Sequence, residues 1–198
     1  MRFSEFAKQF IGVKEGSKEH AKIIDGYNKI RPLPRGYKVK CTDAWCAAFV
    51  SFVLHSCGAK NAPFECSCEK MYSYAHINNM LVDKPCVDDI VVYDWNDDKV
   101  KDHVGIITEV DGKKLTVIEG NRNNAVGTRS ISMNSKYIIG FIRVSRETLQ
   151  DTPDYEAIAR DVIAGKYGNG AARKTKLTML GYDYALVQGK VNELLRLK

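Results

Sequence analysis

The stretch Thr42-Asp43-Ala44-Trp45-Cys46-Ala47-Ala48-Phe49-Val50 joins a short polar segment to an apolar run that continues to residue 56. Asp43 is a residue type that caps helices, and the apolar side chains after it predict a buried helix that ends at Gly58. Cys46 would then lie in the first helical turn, where the positive end of the helix dipole favours a thiolate. Because the thiolate is the nucleophilic form of cysteine, this stretch indicates both a central helix and a candidate catalytic residue.

Helical periodicity also marks the chain on both sides of this helix. Apolar residues recur at helical spacing over residues 3–13 and 18–30, and a further short helix is predicted over residues 69–80. Two prolines and a glycine between residues 32 and 36 predict a loop before the cysteine helix. The first part of the chain is therefore predicted to be helical.

From residue 88 onward the pattern changes to that of β-strands. Runs rich in β-branched and aromatic residues predict four strands, at residues 90–93, 104–107, 115–118 and 137–142. Asp111-Gly112 predicts a hairpin between the second and third of them. Helices followed by an antiparallel meander predict an α+β domain in which the cysteine helix packs on the sheet.

A polar stretch containing proline, at residues 149–153, divides the chain. We expect a first domain over residues 1–148, a linker over this stretch, and a second domain over residues 154–198. The second domain shows helical patterns in three short segments, which predict a compact module of three helices. We see no internal repeat of this module.

Composition excludes several classes of protein. No apolar run in the 198 residues approaches the length of about 20 that spans a bilayer, and the N-terminus lacks the pattern of a signal peptide. The net charge of +6 forms no basic stripe with interleaved aromatic residues, so we expect no nucleic-acid partner and no membrane partner. We expect synthesis in a cytoplasm, where the six cysteines are reduced thiols.

Two of these cysteines, Cys66 and Cys68, are closely spaced. Their spacing is too short for the usual zinc pair, and no second pair follows, so we predict no metal site there. We expect both residues in a loop near Cys46.

Polar residues on the predicted strands complete a catalytic set. His103 begins one strand, while Glu119 and Asn121 end the next, one hairpin away. A histidine can activate a thiol, and a third polar group then fixes the tautomer of the histidine and stabilises its charged form. Alternation along a strand places Glu119 and Asn121 on one face, so either could be that group. The backbone N–H of Cys46 is a candidate donor to an oxyanion.

These residues fall in three motifs, namely Asp43-Ala44-Trp45-Cys46, Asp102-His103-Val104-Gly105-Ile106 and Ile118-Glu119-Gly120-Asn121. Together they resemble the CHAP family, the cysteine, histidine-dependent amidohydrolases/peptidases, over nearly all of residues 1–145. The resemblance implies a papain-like fold and peptidoglycan as the substrate. It also implies roles for four residues: Cys46 as nucleophile, His103 as base, Glu119 as the group that orients the histidine, and Asn121 as an assisting group. Many such proteins are phage endolysins.

The second domain carries motifs of its own, at residues 158–170, 173–174, 177–178, 181–184 and 187–192. They resemble the short cell-wall-binding repeat that follows the catalytic domain of some phage lysozymes. This resemblance implies a three-helix module that binds the muropeptide backbone. The residues that we expect to contact the substrate are Trp45 in the first domain and Tyr167, Asn169, Arg173, Tyr182 and Asp183 in the second. Because such modules commonly occur in tandem, a homo-oligomer that supplies multivalency is an open alternative.

The expected function is that of a peptidoglycan hydrolase that cleaves the amide between the muramoyl lactyl group and L-alanine. One alternative is a peptide bond in the stem or cross-bridge. Another is a non-catalytic cell-wall-binding protein, and a third, an intracellular thiol protease or transglutaminase, leaves the second domain unexplained. We expect the protein to act on the wall after release from the cytoplasm of the host.

A thiol mechanism requires no cofactor. Some relatives of the first domain bind calcium, and this chain offers alternating oxygen ligands at Asp94, Asn96, Asp98 and Asp102. The segment lacks the glycine and the bidentate glutamate of a full EF-hand loop. We therefore predict a solvated hairpin there and no bound metal.

Overall fold

The structure consists of two compact units, residues 1–146 and 147–198. The sequence predicts a division in the same part of the chain. The computed structural model describes residues 1–144, 155–180 and 182–196. The linker predicted at residues 149–153 lies outside the described residues, so the exact domain bounds stay a prediction.

The first unit has helices in its first half and strands in its second, which confirms the predicted α+β class. Its helices are α1 (Phe3–Lys8), α2 (Lys18–Asn28), α3 (Cys46–Ser56) and α4 (Cys68–Ile77), with a short 3₁₀ turn at Pro34–Gly36 in the predicted loop. Its strands are β1 (Leu81–Val82), β2 (Ile90–Tyr93), β3 (His103–Asp111), β4 (Lys114–Glu119), β5 (Gly127–Ser132) and β6 (Ile138–Ile142).

The strands form one antiparallel sheet in the order β1-β6-β2-β3-β4-β5. The predicted hairpin at Asp111-Gly112 is confirmed, since β3 pairs with β4 up to Asp111 and Lys114. The predicted simple meander is wrong, because β6 lies between β1 and β2. Sequence patterns missed β5 because it alternates partly exposed and exposed residues without an apolar run.

The first helix is also shorter than predicted. After α1 the chain turns at Gly12, whose φ of +88° suits glycine, and pairs with the turn that follows β4. The Gly12 N–H donates to the carbonyl of Val126 at 2.9 Å, and the Glu15 N–H donates to that of Asn124 at 2.8 Å. Backbone pairing with this turn thus replaces the continuation of the helix.

The core of the first unit surrounds α3. Every residue from Cys46 to Leu54 is buried, and the helix packs against α2, β3 and β4. On one face of the sheet, Val92, Val104, Ile106 and Ile118 belong to the same apolar core as α3. On the other face, a second apolar cluster forms around Tyr93 and Val117. Burial on both faces explains why the central strands are apolar runs.

The start of α3 differs from the prediction. Asp43 does not cap the helix; its carboxylate accepts the Lys40 N–H at 2.8 Å and the Tyr37 hydroxyl at 2.9 Å, and so stabilises the preceding turn. The N-cap residue is Trp45, and Cys46 is the first residue of the helix. The expected position of the thiol at the positive end of the dipole is therefore confirmed, although the predicted cap was wrong.

The second unit is a three-helix module, as predicted. Its helices are α5 (Tyr155–Ile163), α6 (Gly170–Met179) and α7 (Tyr184–Arg196). They enclose a small apolar core formed by Ile158, Ala159, Val162, Leu177, Val187 and Val191.

Gly120 lets α3 approach the end of β4 closely, which provides a test of this packing. A Cβ atom at Gly120 would lie 2.5 Å from Phe49 Cβ and 2.8 Å from Phe49 Cγ. We predict that Gly120→Ala lowers the free energy of unfolding of the first unit by roughly 1–3 kcal/mol, the usual cost of overpacking. Both tryptophans, Trp45 and Trp95, lie in this unit, so urea unfolding followed by tryptophan fluorescence measures it selectively.

The matched control is Gly127→Ala on the neighbouring strand. Its added Cβ would meet no atom closer than 3.5 Å, an ordinary contact, so we expect a change within about 0.5 kcal/mol. An equal loss of stability in both variants would contradict the close approach of α3 at Gly120.

Candidate active site

Cys46, His103 and Glu119 meet where three elements begin or end. Cys46 is the first residue of α3, His103 is the first of β3, and Glu119 is the last of β4. His103 Nε2 lies 3.3 Å from Glu119 Oε2, an ion-pair distance. His103 also interacts with Cys46, because a hydrogen bond and the opposite charges of the two side chains shift the pKa of each. The structure thus brings together three of the four residues that the sequence predicts for catalysis.

The charges in this set favour a thiolate beside an imidazolium. The pKa of Cys46 lies well below its ordinary value. A hydrogen bond from Cys68 is the largest cause of the lowering, and His103 and the Ala47 N–H lower the pKa further. Burial alone would raise it. Burial alone would lower the pKa of His103, but the hydrogen bonds and charges of Cys46 and Glu119 outweigh it and raise the pKa to about 9. Both shifts favour the ionised pair, in which a Cys46 thiolate lies beside a His103 imidazolium.

Glu119 is fully buried and is held by a second cation. The Arg129 guanidinium donates to both of its carboxylate oxygens, at 2.6 and 2.9 Å. Burial alone would raise the pKa of Glu119, but the hydrogen bonds and charges of His103 and Arg129 keep it below its usual range. Arg129 itself lies 4.5 Å from the centroid of the Trp95 ring, a cation–π contact.

Arg129 was not among the residues predicted for the site, because β5, the strand that carries it, was not predicted either. The polar alternation of β5 gives little signal by itself, and the pairing of Val117 with Arg129 becomes visible only in the sheet.

Gly105 leaves the space that the side chain of Glu119 occupies beside β3. It lies two residues after His103 in β3, and a Cβ there would approach Glu119 Cγ to 2.8 Å and Val117 Cγ1 to 2.5 Å. Any other residue would displace the glutamate side chain, so the glycine belongs to the site although it carries no functional group.

Cys68 contacts the candidate nucleophile directly. Its Sγ lies 3.5 Å from Cys46 Sγ, and both side chains are buried. The expected position near Cys46 is correct for Cys68, but the residue begins α4 rather than lying in a loop, since Ser67 caps that helix by accepting the Lys70 N–H. Burial and the neighbouring Cys46 raise the pKa of Cys68, with the hydrogen bond to Cys46 the largest cause, so Cys68 is the thiol that donates.

Asn121 does not extend β4 as the alternation predicted. The strand ends at Glu119, and Asn121 lies in the following turn with a φ of +56°, so the two side chains need not share a face. Among the described residues its side chain makes no hydrogen bond to His103. Its assisting role stays a prediction.

Trp45 does not fit the expected contact with substrate, because it is fully buried. Its indole N–H donates to Glu15 Oε2 at 2.9 Å, and its ring packs 4.5 Å from that of His20. These contacts fix the residue that precedes the nucleophile, so Trp45 helps to position Cys46 and does not contact the substrate itself.

A cleft with a volume of about 410 Å³ lies beside the residues that lead into α3. It is lined by Arg35, Tyr37, Val39, Asp43, Ala44 and Cys66. Ala44 is two residues before Cys46, so the cleft adjoins the start of the cysteine helix. Its mixture of charged, aromatic and apolar side chains suits a peptide ligand.

The residues predicted to bind substrate in the second unit have varied surroundings. Arg173 donates to the Gly168 carbonyl at 3.0 Å and to Asn169 Oδ1 at 2.9 Å, while Tyr167 and Tyr182 pack partly against the small core. Asp183 accepts the N–H groups of Ala185 and Leu186 at 2.8 and 3.2 Å, so its carboxylate caps α7. This cap gives Asp183 a structural role in addition to the predicted contact with substrate.

The acidic segment before β3 forms a hairpin whose carboxylates serve its own backbone. Asp94 accepts the N–H groups of Asp97 and Lys99 at 2.7 and 2.9 Å, and Asp102 accepts that of Trp95 at 2.7 Å. Within the described ranges no group of three or more His, Cys, Asp or Glu side chains is arranged to hold a metal ion. None of the helices in these ranges has the length and apolar character to cross a membrane.

Two family models match the chain. Residues 36–121 match the CHAP domain, a span that contains Cys46, His103, Glu119 and Asn121, and the α+β arrangement is consistent with a papain-like fold. Residues 156–195 match the CW_7 repeat.

No curated protein matches the chain. Among solved structures, the crystal structure of Ly7917 is similar to 50% of this chain, with 18% sequence identity and a TM-score of 0.39. The matched part spans 53% of that protein, about half of its length.

The charge of Glu119 can be removed with little change in size. We predict that Glu119→Gln lowers the pKa of His103 below about 9, because the glutamine lacks the negative charge that stabilises the imidazolium. A titration of the histidine side chains by NMR, in a protein with only 4 histidines, measures this pKa directly.

The control is Glu69→Gln, which removes a surface carboxylate that lies 3.3 Å from Lys101 Nζ. The His103 titration in this variant should match that of the native protein. If Glu119→Gln also titrated like the native protein, Glu119 would not support the charged histidine.

Proposed function

We propose that this chain, which carries a CHAP domain followed by a CW_7 repeat, hydrolyses an amide bond of bacterial peptidoglycan with Cys46 as its nucleophile. The CHAP domain indicates a peptidoglycan amidase or peptidase, and the repeat suggests binding to the cell wall. The observation that carries the proposal is the contact of Cys46 with His103, which is held in turn by Glu119. A non-catalytic wall-binding protein would not need this ionised set.

The proposed reaction begins with attack of the Cys46 thiolate on the carbonyl carbon of the amide. The N–H of Cys46, at the first position of α3, has no partner within the helix and is a suitable donor to the oxyanion. The His103 imidazolium gives its proton to the leaving amine. Neutral His103 then takes a proton from water, which hydrolyses the thioester and restores the thiolate and imidazolium pair.

Glu119 acts throughout by holding His103 and stabilising its positive charge. Because Arg129 occupies both oxygens of the same carboxylate, the glutamate has little freedom to turn away from the histidine. Glu119 is thus proposed as an orienting group rather than a proton donor.

Our first choice of bond is the amide between the muramoyl lactyl group and L-alanine. The alternative is a peptide bond in the stem or cross-bridge. The cleft beside α3 supports a peptide as the group bound next to Cys46 in either case, since Tyr37 and Val39 offer apolar surface and Arg35 a positive charge.

The second unit is proposed to keep the enzyme at the wall. This combination of domains fits a phage endolysin that reaches the wall from the host cytoplasm. A single repeat gives one attachment per chain, so a homo-oligomer would raise the avidity.

Product analysis tests both the activity and the bond. We expect the native protein to release soluble fragments from purified peptidoglycan and Cys46→Ala to release none, because the nucleophile is gone. Mass spectrometry of the fragments identifies the bond: free stem peptides that begin with L-alanine indicate an amidase, and new ends within the stem or bridge indicate an endopeptidase.

The matched control is Cys86→Ser, which alters an exposed cysteine and should give the native products. If the native protein and Cys46→Ala gave the same products, the cysteine mechanism would be refuted. If neither cleaved the wall while both bound it, the chain would be a wall-binding protein.

The raised pKa of His103 predicts the alkaline side of the pH profile. The imidazolium must protonate the leaving amine, so the rate should fall as the pH rises through about 9 and the ring loses its proton. Glu119→Gln lowers this pKa and should move the fall to lower pH. Initial rates of fragment release between pH 6 and about pH 10 measure the shift, with Glu69→Gln as the control.

A further inference from the structure

The contact between Cys46 and Cys68 has chemistry beyond hydrolysis. Their sulfur atoms lie 3.5 Å apart, although the residues are 22 positions apart in sequence. Both thiols are free in this structure, and both are 7% exposed. A disulfide has an S–S distance of about 2.05 Å, so the sulfurs need to approach by about 1.5 Å.

The local structure allows this approach. Each cysteine is the first residue of its helix, α3 for Cys46 and α4 for Cys68, so neither side chain is enclosed within a helix interior. Rotation about the Cα–Cβ bonds moves the two sulfurs and leaves the backbone N–H to C=O hydrogen bonds of both helices in place, because the side chains take no part in those bonds. Among the described residues, the side-chain hydrogen bond of Cys68 is with Cys46 itself, so the resolving sulfur already faces the nucleophile.

We propose that Cys46 and Cys68 form a reversible site of oxidative modification, in which a peroxide converts the two thiols to a disulfide. This inference concerns the thiols alone. Its consequence for wall hydrolysis rests on the proposed function.

The proposed chemistry proceeds in two steps. The Cys46 thiolate attacks one oxygen of hydrogen peroxide; an S–O bond forms, the O–O bond breaks, and the leaving hydroxide takes a proton to become water. The Cys68 sulfur then attacks the sulfenic acid of Cys46; an S–S bond forms, the S–O bond breaks, and a second water leaves. Two thiols lose two electrons, and one peroxide becomes two waters.

The charges explain the order of the steps. In the reduced pair the hydrogen bond that Cys68 donates to Cys46 is the largest cause of the raised pKa of Cys68, and burial and the negative charge of Cys46 add to it, so Cys68 remains a thiol. A sulfenic acid at Cys46 is neutral, so the first step removes the part of this obstacle that comes from the thiolate of Cys46 and leaves the part that comes from burial. The first turn of α4 then favours the thiolate of Cys68, which is the form that attacks.

The disulfide would occupy the nucleophile and stop hydrolysis until a thiol reductant restores both cysteines. It would also protect Cys46, because a sulfenic acid without a resolving thiol proceeds to sulfinic and sulfonic acids that a simple thiol does not reduce.

The test uses the full chain treated with hydrogen peroxide. After free thiols are blocked, digestion without reductant and mass spectrometry should find a peptide pair linked through Cys46 and Cys68. Alkylation of Cys46 by iodoacetamide should be lost after peroxide and return to that of the untreated protein after dithiothreitol.

Two variants sharpen this test. In Cys68→Ser the resolving thiol is absent, so peroxide should convert Cys46 to the sulfinic acid and dithiothreitol should restore none of its alkylation. Cys68→Ala also removes the hydrogen-bond donor that favours the Cys46 thiolate, so Cys46 should oxidise more slowly in this variant but again without recovery by dithiothreitol. Tryptophan fluorescence of each reduced variant verifies that the first unit is folded.

The matched control is Cys66→Ser, because Cys66 lies two residues from Cys68 and lines the cleft beside Ala44. The link between Cys46 and Cys68 should form in this variant as in the native protein. A link from Cys46 to Cys66, direct oxidation of native Cys46 to sulfinic acid, or full recovery of Cys68→Ser would each overturn the inference.

This readout is independent of peptidoglycan. A chain that forms the disulfide but cleaves no wall would support the thiol pair and refute the proposed function. A chain that cleaves walls but forms no disulfide would do the reverse.

Discussion

The buried carboxylate of Glu119 is the charge on which the arrangement of the site depends. A carboxylate without water is stable inside a protein only when cations and hydrogen-bond donors surround it. Here Arg129 supplies a bidentate pair and His103 a second cation, and Arg122 Nε lies 3.6 Å away. Because the guanidinium fixes the carboxylate, the carboxylate in turn fixes the ring of His103. Three elements are thereby tied together at one point: β3, β4 and β5.

The packing of α3 on the same strands supplies the other half of the site. Gly120 follows Glu119 directly and admits the ring of Phe49, so the helix lies close to the end of β4. This contact lies one turn after Cys46 in α3, so it holds the start of the helix close to the strand that ends in Glu119. Substituting Gly105 or Gly120 would disturb the site in two different ways, the first by displacing the glutamate and the second by displacing the helix.

Local patterns in the sequence predicted those parts of the fold that local energetics decide. The apolar run after Cys46 predicted α3, and the turn at Asp111-Gly112 predicted the central hairpin, since burial and turn geometry act within a few residues. The cap at Asp43 was wrong because Tyr37 and Lys40, upstream in the loop, compete for its carboxylate. Strand β5 and its Arg129 could not be predicted, because their stability comes from pairing with β4 and from the charge of Glu119. Cys68 was expected near Cys46, but its contact with the sulfur depends on how two helices approach each other.

The reactivity of Cys46 and its exposure to oxidation have one physical origin. Stabilising a thiolate requires donors and positive charge around the sulfur, and here these are Cys68, the imidazolium of His103 and the first turn of α3. A thiolate prepared in this way reacts with any small electrophile that reaches it, and a peroxide is smaller than a peptide. A donor that is a hydroxyl or an amide would stabilise the thiolate without offering a route back from oxidation. A thiol in that place stabilises the thiolate and also offers a route back from oxidation. The Cys68 sulfur donates a hydrogen bond to Cys46 in the reduced state, and from the same position it can form the disulfide after Cys46 is oxidised.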